Sequence, residues 1–244
     1  WDKLIDRYPN MMIDDCAAGG GLVEKSIESL SLDKTKRIKP ELSQKLEVLF
    51  STFKSEKIRL ALLNAFSVFP NSGNVMLVNN YFNSQMQSNV AMDETLLNSI
   101  LFLGANGNSK SFNLLFIADI LDVWPTYSEI LGNAYGPMVE RHETELLQIL
   151  SSVPVEKRVL ILNRINSNSK ISKKICGEVA ENALSSVIYN KDVDVKKITH
   201  AEIELQMNSL QIIADTKWTR ASTLATSFFS VARAEYENSL ITGE

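Results

Sequence analysis

The amino-acid sequence predicts an all-α fold, and three observations carry this prediction. Apolar residues recur three and four positions apart over most of the chain after residue 21. Ten glycines and six prolines among 244 residues are few for a loop-rich or β-rich chain of this size. The predicted helices are joined by very short turns, which place consecutive helices antiparallel. We therefore expect a stack of antiparallel helix pairs, with longer helices at the C-terminal end.

Proline and polar caps bound the first predicted helices. An apolar face over residues 22–30 predicts a short helix. Pro40 fits the first turn of the next helix, because the N–H that proline lacks has no partner there. Ser55 precedes a third helix that ends at Pro70, and Asn74 begins a fourth. Each of these segments carries an apolar stripe that one helix face can bury.

Polar caps and one glycine bound the helices that follow. Asp93 is predicted to cap a helix that Gly104 ends, and Ser109 is predicted to cap the next one. Further helices are predicted, in chain order, over residues 126–135, 139–152, 155–167, 171–189, 201–217 and 219–240. Polar residues predict loops at 168–169 and at 190–194.

A weak internal repeat runs through two of these helix pairs. Leu62-Leu63-Asn64 recurs as Leu96-Leu97-Asn98, and each triplet precedes a polar turn and a second apolar helix, at an offset of 34–35 residues. A period of about 34 to 40 residues is typical of helical-pair repeats. Residues 94–121 resemble a HEAT repeat, and residues 56–82 resemble a more degraded copy. This resemblance implies an α-solenoid over about 22–200 whose faces bind proteins.

The first 21 residues differ from the remainder of the chain. A short helical start ends at Pro9, an apolar strand-like piece follows, and the glycines at 19–21 end any regular element. Arg7-Tyr8-Pro9, Asp14-Asp15-Cys16 and the small residues after them resemble a segment of the α-galactosidase-like glycoside hydrolases. The resemblance implies a fragment of such an enzyme, or a fused or linker peptide, attached to the helical domain.

Catalysis is not expected from this segment. In the resembled family an Arg and then a catalytic Asp follow the glycines, whereas this chain continues with Leu22, Val23 and Glu24. A (β/α)₈ barrel also needs about 250 residues and eight strands, and the sequence offers one strand-like piece. We therefore divide the chain into an N-terminal segment, 1–21, and a helical repeat domain, 22–244, and expect no enzyme activity. A glycoside hydrolase fragment fused to a helical domain is the alternative.

Composition and charge narrow the classes of partner. The net charge is −4, with 25 basic and 29 acidic residues, which disfavours nucleic acid because such binding usually needs a strong basic excess. No run approaches the roughly 18 apolar residues of a membrane span, so a soluble protein is expected. The chain begins with Trp1 rather than Met. Cytoplasmic, periplasmic and exported locations, the last two after removal of a leader, all stay open.

Basic residues near turns are the predicted binding side chains. Lys and Arg are in excess over residues 33–59 and 156–174, and basic patches on a solenoid attract acidic partners. The predicted binding residues are Lys57, Arg59, Arg158, Arg164 and Lys174. A protein is the expected partner, and a nucleic-acid-binding repeat protein is an alternative. Self-association is a further alternative, through the aromatic residues Trp218, Phe228, Phe229 and Tyr236.

No cofactor or metal site is predicted. His142 with Glu145, and His200 with Glu204, share helix faces, but a metal site usually needs three or four ligands, so ion pairing is the favoured interpretation. Neighbouring lysines can lower the pKa of the Cys176 thiol, although a buried free thiol is the simpler interpretation. The sequence has no complete phosphate-binding or dinucleotide-binding motif.

Overall fold

A computed structural model describes residues 21–31, 40–187 and 199–230. Every regular element within these ranges is a helix, which confirms the all-α prediction for the described part of the chain. Residues 1–20, which hold the glycosidase-like motif, and the loop predicted at 190–194 lie outside the described residues. None of the described helices has the length and apolar character that crossing a bilayer requires.

The helices are numbered in chain order. The first six are α1 (Gly21–Ser31), α2 (Pro40–Thr52), α3 (Glu56–Val68), α4 (Ser72–Gln87), α5 (Glu94–Asn106) and α6 (Ser109–Ile120). They are followed by α7 (Ser128–Tyr135), α8 (Glu143–Ser152), α9 (Val155–Ser167), α10 (Lys173–Ser185), α11 (His200–Thr216) and α12, of which residues 222–230 are described. Short 3₁₀ helices are η1 (Pro125–Tyr127), η2 (Gly136–Arg141) and η3 (Thr219–Ala221).

The chain divides into two compact units, Trp1–Tyr135 and Gly136–Glu244, here called unit 1 and unit 2. The sequence did not predict this division, and the boundary expected at residue 21 stays a prediction because the residues before it lie outside the described ranges. In each unit the helices pack against their second neighbours in the chain, and several consecutive helices also contact each other.

Unit 1 contains two rows of helices. One row is α1, α3, α5 and α7, in which each helix contacts the next, and the other is α2, α4 and α6. Contacts between α2 and α3, α4 and α5, α5 and α6, and α6 and α7 join the rows. The largest fully buried side chains of this unit are aromatic: Phe66, Phe82, Phe112, Phe116 and Tyr135. Burial of such large rings removes much apolar surface from water, which stabilises the packed rows.

Unit 2 follows the same contact pattern on a smaller scale. α8 packs against α10 and α9 packs against α11, while consecutive helices from α8 to α11 also contact one another. Its core is aliphatic, with Leu146, Ile161, Val179, Leu184 and Leu205 fully buried. Within the C-terminal aromatic set predicted from the sequence, Phe229 is 62% exposed, and Tyr236 lies outside the described residues.

Several predicted helix boundaries are confirmed. α2 begins at Pro40 and α3 begins directly after Ser55. The Asp93 side chain caps α5 by accepting a hydrogen bond from the Leu96 N–H at 2.7 Å. α9 covers Val155–Ser167, the range that the sequence predicts. These boundaries depend on residues within one turn of the helix end, which a sequence displays directly.

Two predicted helix starts are wrong by one or two residues. Asn71, not Asn74, caps α4: each of these two asparagine side chains accepts a hydrogen bond from the backbone N–H of the other at 3.0 Å. Asn108, not Ser109, caps α6 and makes the same reciprocal pair with Ser111. The reciprocal pair satisfies two backbone donors at once, which decides the position of the cap.

Gly104 lies inside α5 and does not end it, so that prediction is also wrong. α5 continues to Asn106, and the N–H of Gly107 bonds to the carbonyl of Leu103. A Cβ on Gly104 would lie 2.9 Å from Ala134 atoms on α7. Glycine is therefore required at this position because α5 and α7 approach each other closely. In a sequence, a glycine that allows close packing cannot be distinguished from a glycine that ends a helix.

The remaining helices of unit 2 agree with the predictions at their centres and differ at their ends. The helix predicted over 139–152 is divided between η2 and α8, and the one predicted over 171–189 begins at Lys173 and ends at Ser185. The helix predicted over 219–240 opens with η3, and its residues after 230 lie outside the described ranges. Boundary differences of this size are usual, because helix ends fray and tighten into 3₁₀ turns.

Candidate functional site

An open groove of about 540 Å³ lies in unit 2 between α8, α10 and the segment from η3 into α12. We call it the unit 2 groove. Three carboxylates and one guanidinium line it, together with an amide, three hydroxyls and two leucines: Glu143, Glu178, Glu181, Arg220, Asn182, Ser185, Thr223, Ser227, Leu147 and Leu224. Its volume falls in the range of ordinary ligand pockets.

One polar face of α10 forms the longest wall of the groove. Glu178, Glu181, Asn182 and Ser185 are spaced three, four and seven positions along the helix and so share a face. The opposite face of α10 is buried in the core of unit 2, with Val179, Ala180, Ala183 and Leu184 inaccessible to solvent. Burial of the apolar face therefore holds the polar face towards the groove.

Trp218 attaches the chain after α11 to α10. α11 ends at Thr216, and its C-terminal cap Lys217 has a left-handed φ of 55°, which turns the chain back. The Trp218 ring then lies against Gly177, where a Cβ would be 2.7 Å from ring atoms. The indole N–H donates to Glu181 Oε2 at 2.7 Å. Only glycine at 177 leaves room for this ring, which positions η3 and α12 beside the groove.

Arg220 makes two contacts at the edge of the groove. Its guanidinium donates to Glu178 Oε1 at 3.1 Å and lies over the Trp218 ring at 5.4 Å. Lys174 Nζ lies 3.9 Å from Glu178 Oε2. The Arg220 side chain is 66% exposed, so its ion pair contributes little to stability. The arrangement nevertheless shows that a carboxylate and an indole face here accept a guanidinium.

The carboxylates of the groove influence one another. Burial, and then the adjacent Glu178 carboxyl group, raise the pKa of Glu143, while Lys174 and Arg220 oppose this more weakly. Burial alone makes a carboxyl group hold its proton more tightly, and a hydrogen bond with a second carboxyl group adds to this effect. Perturbed carboxyl groups in a groove are typical of functional sites, although structural ion-pair networks produce them too.

The five predicted basic residues lie on three helices, α3, α9 and α10. Lys174 lies on α10 beside the groove, and Lys57 is exposed near the start of α3. Arg59 donates to the Phe53 carbonyl at 2.9 Å, and its guanidinium lies 4.9 Å from the centre of the Tyr81 ring. The guanidinium of this residue is thus engaged within unit 1.

Arg158 and Arg164 both lie on α9 and are partly buried. Arg158 donates to the carbonyls of Val153 and Ser151, at 3.0 and 3.2 Å, and to Ser186 Oγ at 3.0 Å. These bonds join the turn before α9 to the end of α10. The side chain of Arg158 therefore has a structural role, whether or not it also contacts a partner.

The histidine and cysteine side chains have ordinary surroundings. His142 Nδ1 lies 3.6 Å from Glu145 Oε1, the pairing that the spacing predicts. Cys176 is buried, its thiol lies 3.7 Å from the Ile165 carbonyl, and burial raises the thiol pKa. The buried-thiol interpretation is the one that fits. Within the described ranges, no three His, Cys, Asp or Glu side chains are placed to hold a metal ion.

A second surface feature lies in unit 1. Val48 on α2 is 62% exposed and Met76 on α4 is 55% exposed. α2 and α4 contact each other, and a Cβ on Gly73, one turn before Met76, would lie 2.6 Å from Glu47, the neighbour of Val48. The two exposed apolar residues therefore lie on neighbouring helices, close in the chain to a point where these helices meet. We call this the α2–α4 surface.

Sequence reasoning missed Glu143, Glu178 and Arg220 as groove residues. The one signal available was the run of polar residues at helical spacing on the predicted helix over 171–189. No family model, curated protein or solved structure matches this chain. Function is therefore inferred from the packing within each unit, from the α2–α4 surface and from the unit 2 groove.

Proposed function

We propose that the chain is a non-enzymatic protein-binding scaffold built on a HEAT-like stack of antiparallel helix pairs. The observation that carries this proposal is a structural repeat within unit 1. α3 and α5 begin 38 residues apart, at positions 56 and 94, and α4 and α6 begin 37 residues apart, at positions 72 and 109. In both pairs the second helix opens with an asparagine capping box.

The second helices of the two pairs also bury equivalent positions. α4 buries Asn74, Val75, Val78, Asn79 and Phe82, and α6 buries Ser111, Phe112, Leu115, Phe116 and Asp119, each 37 residues later. The structural offset exceeds the 34–35 residues of the Leu-Leu-Asn match by about one helical turn. An apolar stripe nearly repeats after one turn, so a sequence match can slip by that amount.

Two contacts between α2 and α4 support a parallel orientation of these second neighbours. Asn71, which caps α4, donates to Ser43 Oγ near the start of α2 at 2.7 Å. Phe50 and Tyr81, which lie later in the same two helices, have ring centres 5.7 Å apart. Because the turn between α2 and α3 and the turn between α3 and α4 are short, the helix between these two parallel helices is expected to run antiparallel to both, as in an α-solenoid.

Binding of a partner is proposed at the α2–α4 surface. Single exposed apolar residues are common on proteins and need no explanation. Two large ones near one helix–helix contact form a small apolar surface, of the kind that interfaces use as anchors. The exposed ammonium groups of Lys57 and Lys174 are the predicted basic contacts that a partner can reach most directly.

The test uses the full chain as bait in cross-linked affinity capture from a lysate of the native host. A Val48→Glu/Met76→Glu variant places charge on the α2–α4 surface, and Leu101→Glu places it at a residue of the other row that is 54% exposed. A dominant protein recovered with the wild type and with Leu101→Glu, but not with the double variant, is the expected result. Equal recovery by all three baits would contradict the proposal.

The non-enzymatic part of the proposal has its own test. The sequence alternative is a glycoside hydrolase fragment, with Asp15 in the motif that resembles that family. We expect no hydrolysis of an aryl α-galactoside above a protein-free blank, because catalysis by the usual route needs two carboxylates about 5–10 Å apart across the bond. Turnover that is abolished by Asp15→Ala would contradict this expectation.

A further inference from the structure

We infer that residues 218–230 form a strap that releases from α10 as a unit while the rest of unit 2 stays folded, with Trp218 as the latch that holds the strap closed. The strap consists of Trp218, η3 and the described part of α12. In its closed position it forms one wall of the unit 2 groove. Release therefore opens the groove and uncovers the polar face of α10. This motion does not depend on the proposed binding of a partner at the α2–α4 surface.

The described part of α12 is less deeply packed than the helices beside it. None of the side chains over residues 222–230 is buried: Leu224, Ala225 and Phe228 are half-buried, and Phe229 is 62% exposed. In contrast, α10 and α11 each bury an apolar face in the core of unit 2. A helix that buries little apolar surface opens at a lower free energy than the helices of the core.

The side-chain hydroxyls of α12 bond within the helix itself. Those of Thr226, Ser227 and Ser230 donate to the carbonyls four residues earlier, at 2.8, 3.0 and 2.9 Å. Such local bonds satisfy the hydroxyls without attaching α12 to a neighbouring helix. They can therefore persist when the strap moves as a unit.

Trp218 attaches the start of the strap to α10 in two ways. Its ring fills the space beside Gly177, where a Cβ would lie 2.7 Å from two ring atoms. Its indole N–H donates to Glu181 Oε2 at 2.7 Å. A hydrogen bond to a carboxylate is stronger than one between neutral groups. One side chain thus makes both the tight packing contact and the charge-assisted bond, which is the arrangement of a latch.

The other attachments of the strap are weaker. Arg220 donates to Glu178 Oε1 at 3.1 Å, but its side chain is 66% exposed, so the ion pair adds little. Ala221 is fully buried but contributes a single methyl group. Leu224 lines the groove together with Leu147 of α8. Once the contacts of Trp218 are lost, these weaker contacts hold the strap.

Lys217 provides a hinge between α11 and the strap. Hinge residues usually lie at the ends of elements, where a few backbone angles absorb a motion. Lys217 follows the last residue of α11 and has a left-handed φ of 55°. A residue with a side chain adopts this conformation at a cost. Rotation at Lys217 into the ordinary region therefore relieves strain when the latch opens, and α11 can stay in place.

The experiment measures hydrogen–deuterium exchange of the full chain by mass spectrometry at neutral pH. Peptides covering 222–230 report the strap, and peptides from α10 and α11 report the rest of unit 2. Two variants weaken the latch: Trp218→Phe removes the indole N–H, and Gly177→Ala fills the space that the ring occupies. Circular dichroism shows whether each variant folds, and either one alone suffices for the test. The control is Ile161→Val, which removes one methyl group from a fully buried position on α9.

Amide groups exchange through the lowest-energy opening that exposes them. In the wild type we expect 222–230 to exchange faster than α10 and α11, yet more slowly than in the chain unfolded in urea. The latch variants should speed exchange of 222–230 about five- to thirtyfold, because they destabilise the closed strap. Ile161→Val should speed exchange of α10 and α11 about two- to tenfold. It should leave 222–230 unchanged, because it destabilises the closed and open states equally.

Four results would overturn the inference. Equal exchange of 222–230 and α10 in the wild type would show a single cooperative unit, and exchange of 222–230 at the unfolded rate would show that the strap is not closed. Acceleration of 222–230 by Ile161→Val to the same extent as α10 would show that the strap opens only in global unfolding. Unchanged exchange of 222–230 in the latch variants would show that Trp218 is not the latch.

Discussion

The contact of Gly104 with Ala134 predicts that Gly104→Ala destabilises the protein. The new Cβ would lie 2.9 Å from the Cα, Cβ and carbonyl oxygen of Ala134, whereas carbon atoms pack best at about 3.5–4.0 Å. Two of these three atoms are backbone, so no side-chain rotation relieves the overlap and α5 and α7 must move apart. Overpacking of this kind costs about 1–3 kcal/mol. The gain in helix propensity offsets about 1 kcal/mol of it.

Gly73→Ala makes the same chemical change in a different environment. A Cβ on Gly73 would lie 2.6 Å from a carboxylate oxygen of Glu47. That oxygen is the far end of a flexible side chain, which can rotate away at little cost. The gain in helix propensity then dominates, and we expect Gly73→Ala to be neutral or to stabilise by up to about 1 kcal/mol. The difference between the two variants isolates the contact with Ala134.

Urea denaturation and thermal unfolding, both followed by far-ultraviolet circular dichroism, measure the difference. A net loss of up to about 2 kcal/mol corresponds to a decrease in Tm of up to roughly 8 °C for a chain of this size. Gly104→Asn separates packing from the predicted helix end, because asparagine is tolerated in a left-handed C-terminal position but is larger than alanine. The packing argument would be refuted if Gly104→Ala had the same free energy of unfolding as Gly73→Ala. It would also be refuted if Gly104→Asn were no less stable than Gly104→Ala.

Three further predictions concern buried groups. Asn79 is fully buried and its side-chain amide makes no hydrogen bond. Asn79→Leu should therefore stabilise the protein by about 1–2 kcal/mol in urea denaturation. A loss of stability would instead reveal a hydrogen-bonding partner of the amide, such as a buried water. The Tyr135 hydroxyl donates a hydrogen bond to the buried Asp119 Oδ2 at 2.9 Å. Tyr135→Phe should therefore lower the free energy of unfolding by about 1.5–3 kcal/mol in the same assay. A decrease of less than about 0.5 kcal/mol would contradict a stabilising role for this bond. Burial raises the pKa of the Cys176 thiol. In a Cys16→Ser variant, alkylation of Cys176 at about pH 8 should therefore be slow in buffer and fast in urea. Equal rates in the two solutions would show that the thiol is exposed. Because burial penalises the Cys176 thiolate, stability is fully present below the ordinary thiol pKa and is lost as the pH rises through the raised value.

Local signals in the sequence predicted most of the helices. Pro40 and Asp93 mark helix starts in the structure as predicted, and α9 covers the predicted residues. Caps and first-turn prolines act within one turn, so the residues that decide them are neighbours in the chain. The errors at Asn71 and Asn108 also arose within one turn. There, two polar residues competed for the cap, and reciprocal hydrogen bonding selected one of them.

The groove could not be predicted from the sequence. Glu143 and Arg220 are 77 positions apart in the chain, and they line one groove because α8 packs on α10 and because Trp218 lies against Gly177. The polar face of α10 was visible as a pattern. A polar face has the same spacing whether it borders open solvent or a groove. Nor does the position of Arg158 near a turn reveal that its guanidinium bonds backbone carbonyls there.

By itself the sequence determined the helical class of the described residues and the approximate place of most helices, because helix formation depends on side chains within a few positions of one another. The tertiary structure alone decided the division after Tyr135, the 37–38-residue register of the helix pairs, the role of Gly104 and the composition of the unit 2 groove. Each of these depends on contacts between side chains far apart in the chain, and apolar spacing shows that a face is buried without showing what buries it.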